Sequence, residues 1–127
     1  MIAVDTSALM AIVLDEPQAD ACIAALETAD EILISAATAA ECLIVAARRG
    51  VYDEMKSLIA DLGLNVISVT QASAERVAQI YSLWGKGNHP AGLNFGDCFA
   101  YAVAKEHGCA LLYVGDDFAK TDIAAIA

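Results

Sequence analysis

Basic side chains are scarce in this chain. Seven Lys and Arg stand against seventeen Asp and Glu in 127 residues, for a formal charge of −10. That balance argues against a protein that grips nucleic acid through a bare basic patch, because such binding rests on Lys and Arg neutralising phosphates. A cluster of acids loaded with divalent cations would reverse its sign locally, so net charge alone does not exclude nucleic acid. Proline occurs only twice while hydrophobic residues reach 58%, which excludes a disordered chain. No apolar run approaches the roughly 18–20 residues of a membrane span. Strand-like residues begin at Met1 with no basic leader, so a cytoplasmic location and no membrane partner are expected. The four cysteines (Cys22, Cys42, Cys98, Cys109) form no CxxC pair and have no histidine at zinc spacing. Each falls in an apolar pattern, and buried reduced thiols are expected.

What remains is a length suited to one domain over residues 1–127, with strand and helix patterns in alternation. Met1 to Val4 reads as a first strand, followed by a helix through Leu14 capped by Thr6 or Ser7. A second helix covers Gln18 to Glu27, and Ile32 to Ile34 a second strand. Helices follow over Thr38 to Arg49 and Val51 to Leu62, then a strand over Leu64 to Val69 and a helix over Ala72 to Trp84. Gly85 to Gly92 is a glycine-rich loop, expected to be mobile. From Asn94 the chain is helical, with Phe95, Cys98, Phe99, Ala102 and Val103 on one apolar face, until Gly108 stops it. Ala110 to Val114 is a fourth strand, and Thr121 to Ile126 a candidate edge strand. Alternation of this kind implies an α/β sandwich on a mainly parallel sheet. Leu9, Met10, Ile12, Val13 and Leu14 are nearly continuous, which suits burial first and an interface second.

The acids fall at informative places on that scheme. Asp5 follows the first strand; Glu41 lies in the first or second turn of the helix after the second strand. Asp97 lies in the first turn of the helix before the fourth strand, and Asp116 with Asp117 follows that strand. In a parallel sheet these positions share the carboxyl edge, where open α/β proteins bind ligands. Each acid also has a local explanation. Thr38–Glu41 has the form of a capping box, Asn94–Asp97 nearly so, Asp5 suits a helix cap, and Asp116-Asp117 suits a turn. Carboxylates crowded together repel unless protonated or neutralised, and a hard divalent cation such as Mg²⁺ is the natural neutraliser. No cysteine or histidine is expected in the cluster, which disfavours zinc.

Val4-Asp5-Thr6-Ser7-Ala8, Ala40-Glu41, Asn94-Phe95-Gly96-Asp97-Cys98 and Gly115-Asp116-Asp117-Phe118 together resemble the PIN-domain nucleases, and within them the VapC-type toxins of bacterial toxin–antitoxin pairs. The resemblance spans nearly the whole chain. It implies a PIN-like α/β/α sandwich and a Mg²⁺- or Mn²⁺-dependent endoribonuclease acting on RNA. It also implies a homodimer and a cognate VapB-type antitoxin. Asp5, Glu41, Asp97 and Asp116 would be the catalytic acids, with Asp117 next in line for the fourth place. Asp5, Asp97, Asp116 and Asp117 are the candidate metal ligands, and Glu41 would orient or deprotonate the attacking water. Thr6 would hydrogen-bond a ligand carboxylate or cap its helix. Lys86, Asn88 and His89 would steady the RNA backbone or serve only the loop. Two other classes compete: an aspartyl-phosphate phosphatase, which would want a second acid where Ser7 stands, and a catalytically silent interaction domain.

Overall fold

The structure, a computed structural model, describes residues 1–126. Its elements in order are β1 (Ile2–Val4), α1 (Thr6–Val13), α2 (Ala19–Thr28), β2 (Ile32–Ser35), α3 (Ala36–Arg48), α4 (Tyr52–Leu62), β3 (Asn65–Ile67), α5 (Gln71–Trp84), α6 (Phe95–Glu106) and β4 (Ala110–Leu112). A 3₁₀ turn, Phe118–Lys120, follows. The four strands pair in the order β3-β2-β1-β4, all parallel.

Side chains alternate across a strand, and this sheet is covered on both faces. Ile2, Val4, Ile32, Ile34 and Leu112 point to one side, where they pack with Leu9, Leu26, Cys42 and Met55 from α1 to α4. Ala3, Leu33 and Leu111 point to the other and meet Val77 and Ile80 of α5 and Phe99 and Val103 of α6. The result is the expected three-layer α/β/α sandwich on a parallel sheet. Cys22, Cys42 and Cys98 are buried, Cys109 is half-buried, and all four are free thiols, as expected. Among the described residues no helix is long and apolar enough to cross a membrane.

Four local expectations give way. Asp5, not Thr6 or Ser7, caps α1, its carboxylate accepting from the Ser7 N–H. The cap of α3 is Ser35, because β2 runs straight into the helix without a loop. Thr38 is therefore inside the first turn and buried, its hydroxyl unpartnered, and the Thr38–Glu41 capping box does not form. Phe95 stands 70% exposed at the start of α6, edge-on to Phe99 at 5.0 Å between ring centroids. Helical periodicity placed it inside, yet at the first position of a helix there is no neighbouring element to cover it. The Thr121–Ile126 edge strand reduces to one parallel bridge, Leu111 to Ala125.

Candidate functional site

Because β1 lies between β2 and β4, three chain crossings meet at one end of the sheet. Asp5 leaves β1 there, its N–H bonded to the Leu112 carbonyl of β4 at 3.0 Å. The Asp5 side chain is only 3% exposed. Its Oδ2 accepts from the Ser7 N–H at 3.0 Å and from the Ser7 hydroxyl at 2.7 Å, while Oδ1 is buried with no hydrogen-bond partner. The same Ser7 hydroxyl accepts from the Val114 N–H at 2.9 Å, tying the start of α1 to the chain just past β4. Sequence reasoning weighed Ser7 only as a cap or a missing acid; its bridging role arises from tertiary contact.

Glu41 comes from α3, half-buried, and its Oε1 accepts from the Thr6 hydroxyl. Asp97, half-buried in the first turn of α6, forms a capping box with Asn94: the Asn94 N–H donates to its Oδ2 at 3.0 Å, and the Asp97 N–H donates to Asn94 Oδ1 at 2.8 Å. The local explanation thus holds for Asp5 and Asp97 as caps but fails for Glu41, which is past the first turn of its helix.

The three acids share one electrostatic neighbourhood. Burial pushes the Asp97 carboxyl up to about 6, and the charges of Asp5, Glu41 and Asp117 push the same way, against the bond from Asn94. Burial likewise raises Asp5, with Glu41 adding to it and the Ser7 bonds opposing. The ion pairs among the described residues lie elsewhere: the N-terminus with Asp30, Arg76 with Glu106, and Lys105 with Asp122. No three acidic, cysteine or histidine side chains among the described residues close into a formed metal cage. Like charges hold one another apart, and each carboxylate leans on its own donor: Asp5 on Ser7, Glu41 on Thr6, Asp97 on Asn94.

Asp116 and Asp117 are exposed beyond Gly115, whose φ of 109° turns the chain out of β4. The charge of Asp117 is among those that raise the Asp97 carboxyl. A cysteine does approach the group, contrary to expectation. Cys42 Sγ lies 3.6 Å from Thr6 Oγ1, but burial pushes its thiol up to about 12, so it stays protonated. In the glycine loop, Asn88 Nδ2 donates to the Tyr81 carbonyl at 3.1 Å at the end of α5. His89 Nδ1 accepts from the Ala91 N–H at 2.9 Å, and its ring meets Trp84 edge-on at 4.6 Å. Both side chains are engaged in shaping the loop, and Lys86 is exposed and joins none of the ion pairs. A surface hollow lined by Ile2, Ala24, Ala25 and Ile126 is mostly apolar and has none of these acids in its lining.

The sequence matches the PIN domain family over residues 2–124. It is 40% identical to Ribonuclease VapC30 of Mycobacterium tuberculosis over 127 residues, covering 98% of this chain and 97% of that one. Its fold is similar to that of Mycobacterium tuberculosis VapC20, described as a Sarcin-Ricin loop cleaving toxin, with a TM-score of 0.81 at 16% identity over 99% of this chain and 98% of that one. A toxin-antitoxin complex from Klebsiella pneumoniae aligns with a TM-score of 0.75 at 20% identity, over 99% and 97% of the two chains. With this fold, this order of acids and these relatives, the chain belongs to the PIN-domain family, on the branch that holds the VapC ribonucleases.

Proposed function

We propose that this chain is a divalent-cation-dependent endoribonuclease, built as one PIN-like domain and acting in the cytoplasm as the toxin of a toxin–antitoxin pair. The observation that carries the proposal is the Asp5 carboxylate, 3% exposed, with Oδ1 unpartnered and with Glu41 as its charged neighbour. Burying such a group costs free energy unless something compensates it. A hard cation fits the residues present. The donors are all oxygen, and the one nearby sulfur, Cys42, is held as a thiol and not a thiolate ligand.

Asp5 and Asp97 are the side chains we assign to hold the cation, with Asp117 and Asp116 as further candidates, and Mg²⁺ as the ion, Mn²⁺ suiting the same donors. Bound there, such an ion lowers the pKa of its water and offsets charge on a phosphoryl oxygen. The chain's own part is positional. Ser7 fixes one Asp5 oxygen and leaves the other free. Thr6 occupies Oε1 of Glu41, so that Oε2 is available to orient the attacking water or take its proton. The Asn94 N–H keeps Asp97 in the first turn of α6.

The substrate class is RNA, by analogy with the ribonuclease named above, and the partner a VapB-type antitoxin, by analogy with the Klebsiella complex. A homodimer completes the proposed assembly. The phosphatase alternative needs a nucleophilic carboxylate open to in-line attack, and the burial of Asp5 speaks against it. The test is RNA cleavage with Mg²⁺, with EDTA, and by Asp97→Asn, which keeps a capping oxygen but loses the charge. Cleavage should vanish in both the EDTA and the variant arms while the fold persists. Unchanged cleavage in either would refute the cation-dependent centre.

A further inference from the structure

Gly96 is the second residue of α6, and its backbone gives no reason for a glycine. It is not among the glycines with positive φ, which are Gly50, Gly63, Gly87, Gly92, Gly108 and Gly115. Inside a helix glycine is worse than alanine, since it surrenders more backbone freedom on folding. Something outside α6 must favour a bare Cα. A Cβ placed at residue 96 would stand 2.2 Å from Glu41 Oε2, 2.8 Å from Glu41 Cδ and 3.1 Å from Glu41 Oε1. Its three nearest neighbours all belong to one carboxylate, delivered from a different helix. Gly85 offers the contrast: a Cβ there would strike the Tyr81 backbone oxygen at 2.4 Å, so main chain itself would have to yield. At Gly96 only the tip of a flexible side chain is in the way.

We infer that Gly96 is a positioning residue for Glu41. The missing Cβ is the seat in which the Glu41 carboxylate rests against the first turn of α6, one residue before Asp97. Two contacts then define that carboxylate. The Thr6 hydroxyl holds Oε1, and the bare Cα of Gly96 admits Oε2. The positive end of the α6 dipole lies at this turn and favours a negative group there. Because the obstacle is a side-chain tip, a larger residue at position 96 leaves the fold standing and moves Glu41. Stability and activity should therefore part company at this position. The inference rests on the nuclease proposal for its effect on activity, though not for the placement of the carboxylate.

The test is Gly96→Ala, followed by its crystal structure without added metal, its melting temperature, and RNA cleavage with Mg²⁺. The variant should melt no lower than wild type, show the Glu41 carboxylate withdrawn from Thr6, and lose cleavage by about 10²-fold, the scale of an ångström misplacement of a reacting group. In a Glu41→Ala background the same change should raise the melting temperature by more, because the obstacle is gone. Failure of Gly96→Ala alone to fold overturns the separation of stability from activity even if the double variant folds, and failure of both overturns the seat itself. The inference is also overturned if cleavage stays within about twofold of wild type with the carboxylate displaced, or if Glu41 keeps Thr6 and α6 shifts instead. If wild type cleaves no RNA with any divalent ion, the nuclease proposal fails, and the carboxylate's place in the variant structure still decides the seat.

Discussion

The Ser7 hydroxyl does two things at once, donating to Asp5 Oδ2 and accepting from the Val114 N–H. Ser7→Ala removes one donor from a buried carboxylate and strands a backbone N–H, which should cost about 1–3 kcal/mol in urea denaturation. A cost below a few tenths would mean the bridge carries no stability. Asp97 gives a pH signature at the same scale. Its folded carboxyl is pushed up to about 6 from an ordinary 3.8, so its contribution to stability is full below the ordinary value and is lost as pH rises through about 6. A cation needs the ionised form, so cation affinity should rise across that same window. Melting in EDTA and Mn²⁺ titration, each from about pH 4 to about pH 7, should therefore slope in opposite directions; parallel slopes would show that Asp97 does not titrate as a ligand. Asp5, Glu41 and Asp97 were legible in the sequence because an acid beside a strand end or helix start has few places to go. Ser7 and Gly96 were not, because what matters about them is which distant atom they meet.

At the scale of the element, caps decide where the acids stand. Asp5 caps α1 and Asp97 closes the box that starts α6, so two of the candidate ligands are also helix termini. Asn94→Ala should cost about 1 kcal/mol through the lost cap and weaken cation binding, because the Asp97 N–H then loses its Oδ1 acceptor and the turn that places the Asp97 carboxylate is held only by the remaining residue-94 N–H. Loss of stability with unchanged Mn²⁺ affinity would show that the cap and the site are independent. Helix and strand order could be read from periodicity, yet the ends slipped where two elements abut. Ser35 serves as last residue of β2 and cap of α3 together, a double duty that no propensity signals, and it displaced the Thr38 box. Phe95 misled for a related reason: the apolar stripe of α6 continues to its first residue, but the packing that makes a stripe a core stops one turn later, at Phe99.

The whole molecule supplies the convergence. Alternating patterns implied a parallel sheet but not its order, and it is the order β3-β2-β1-β4 that sets β1 between its two partners. Residues 5, 41 and 117, spread over most of the chain, then come close enough for their charges to act on Asp97, in a protein whose net charge is −10. A cation there is what would let so acidic a protein approach a phosphodiester. The direct measurement is anomalous diffraction from a crystal soaked in Mn²⁺. A peak bonded to the free Oδ1 of Asp5 and to Asp97, and absent in Asp97→Asn, is the expected result. A soaked crystal with Mn²⁺ bound only at exposed acids elsewhere, and none at Asp5, would contradict it.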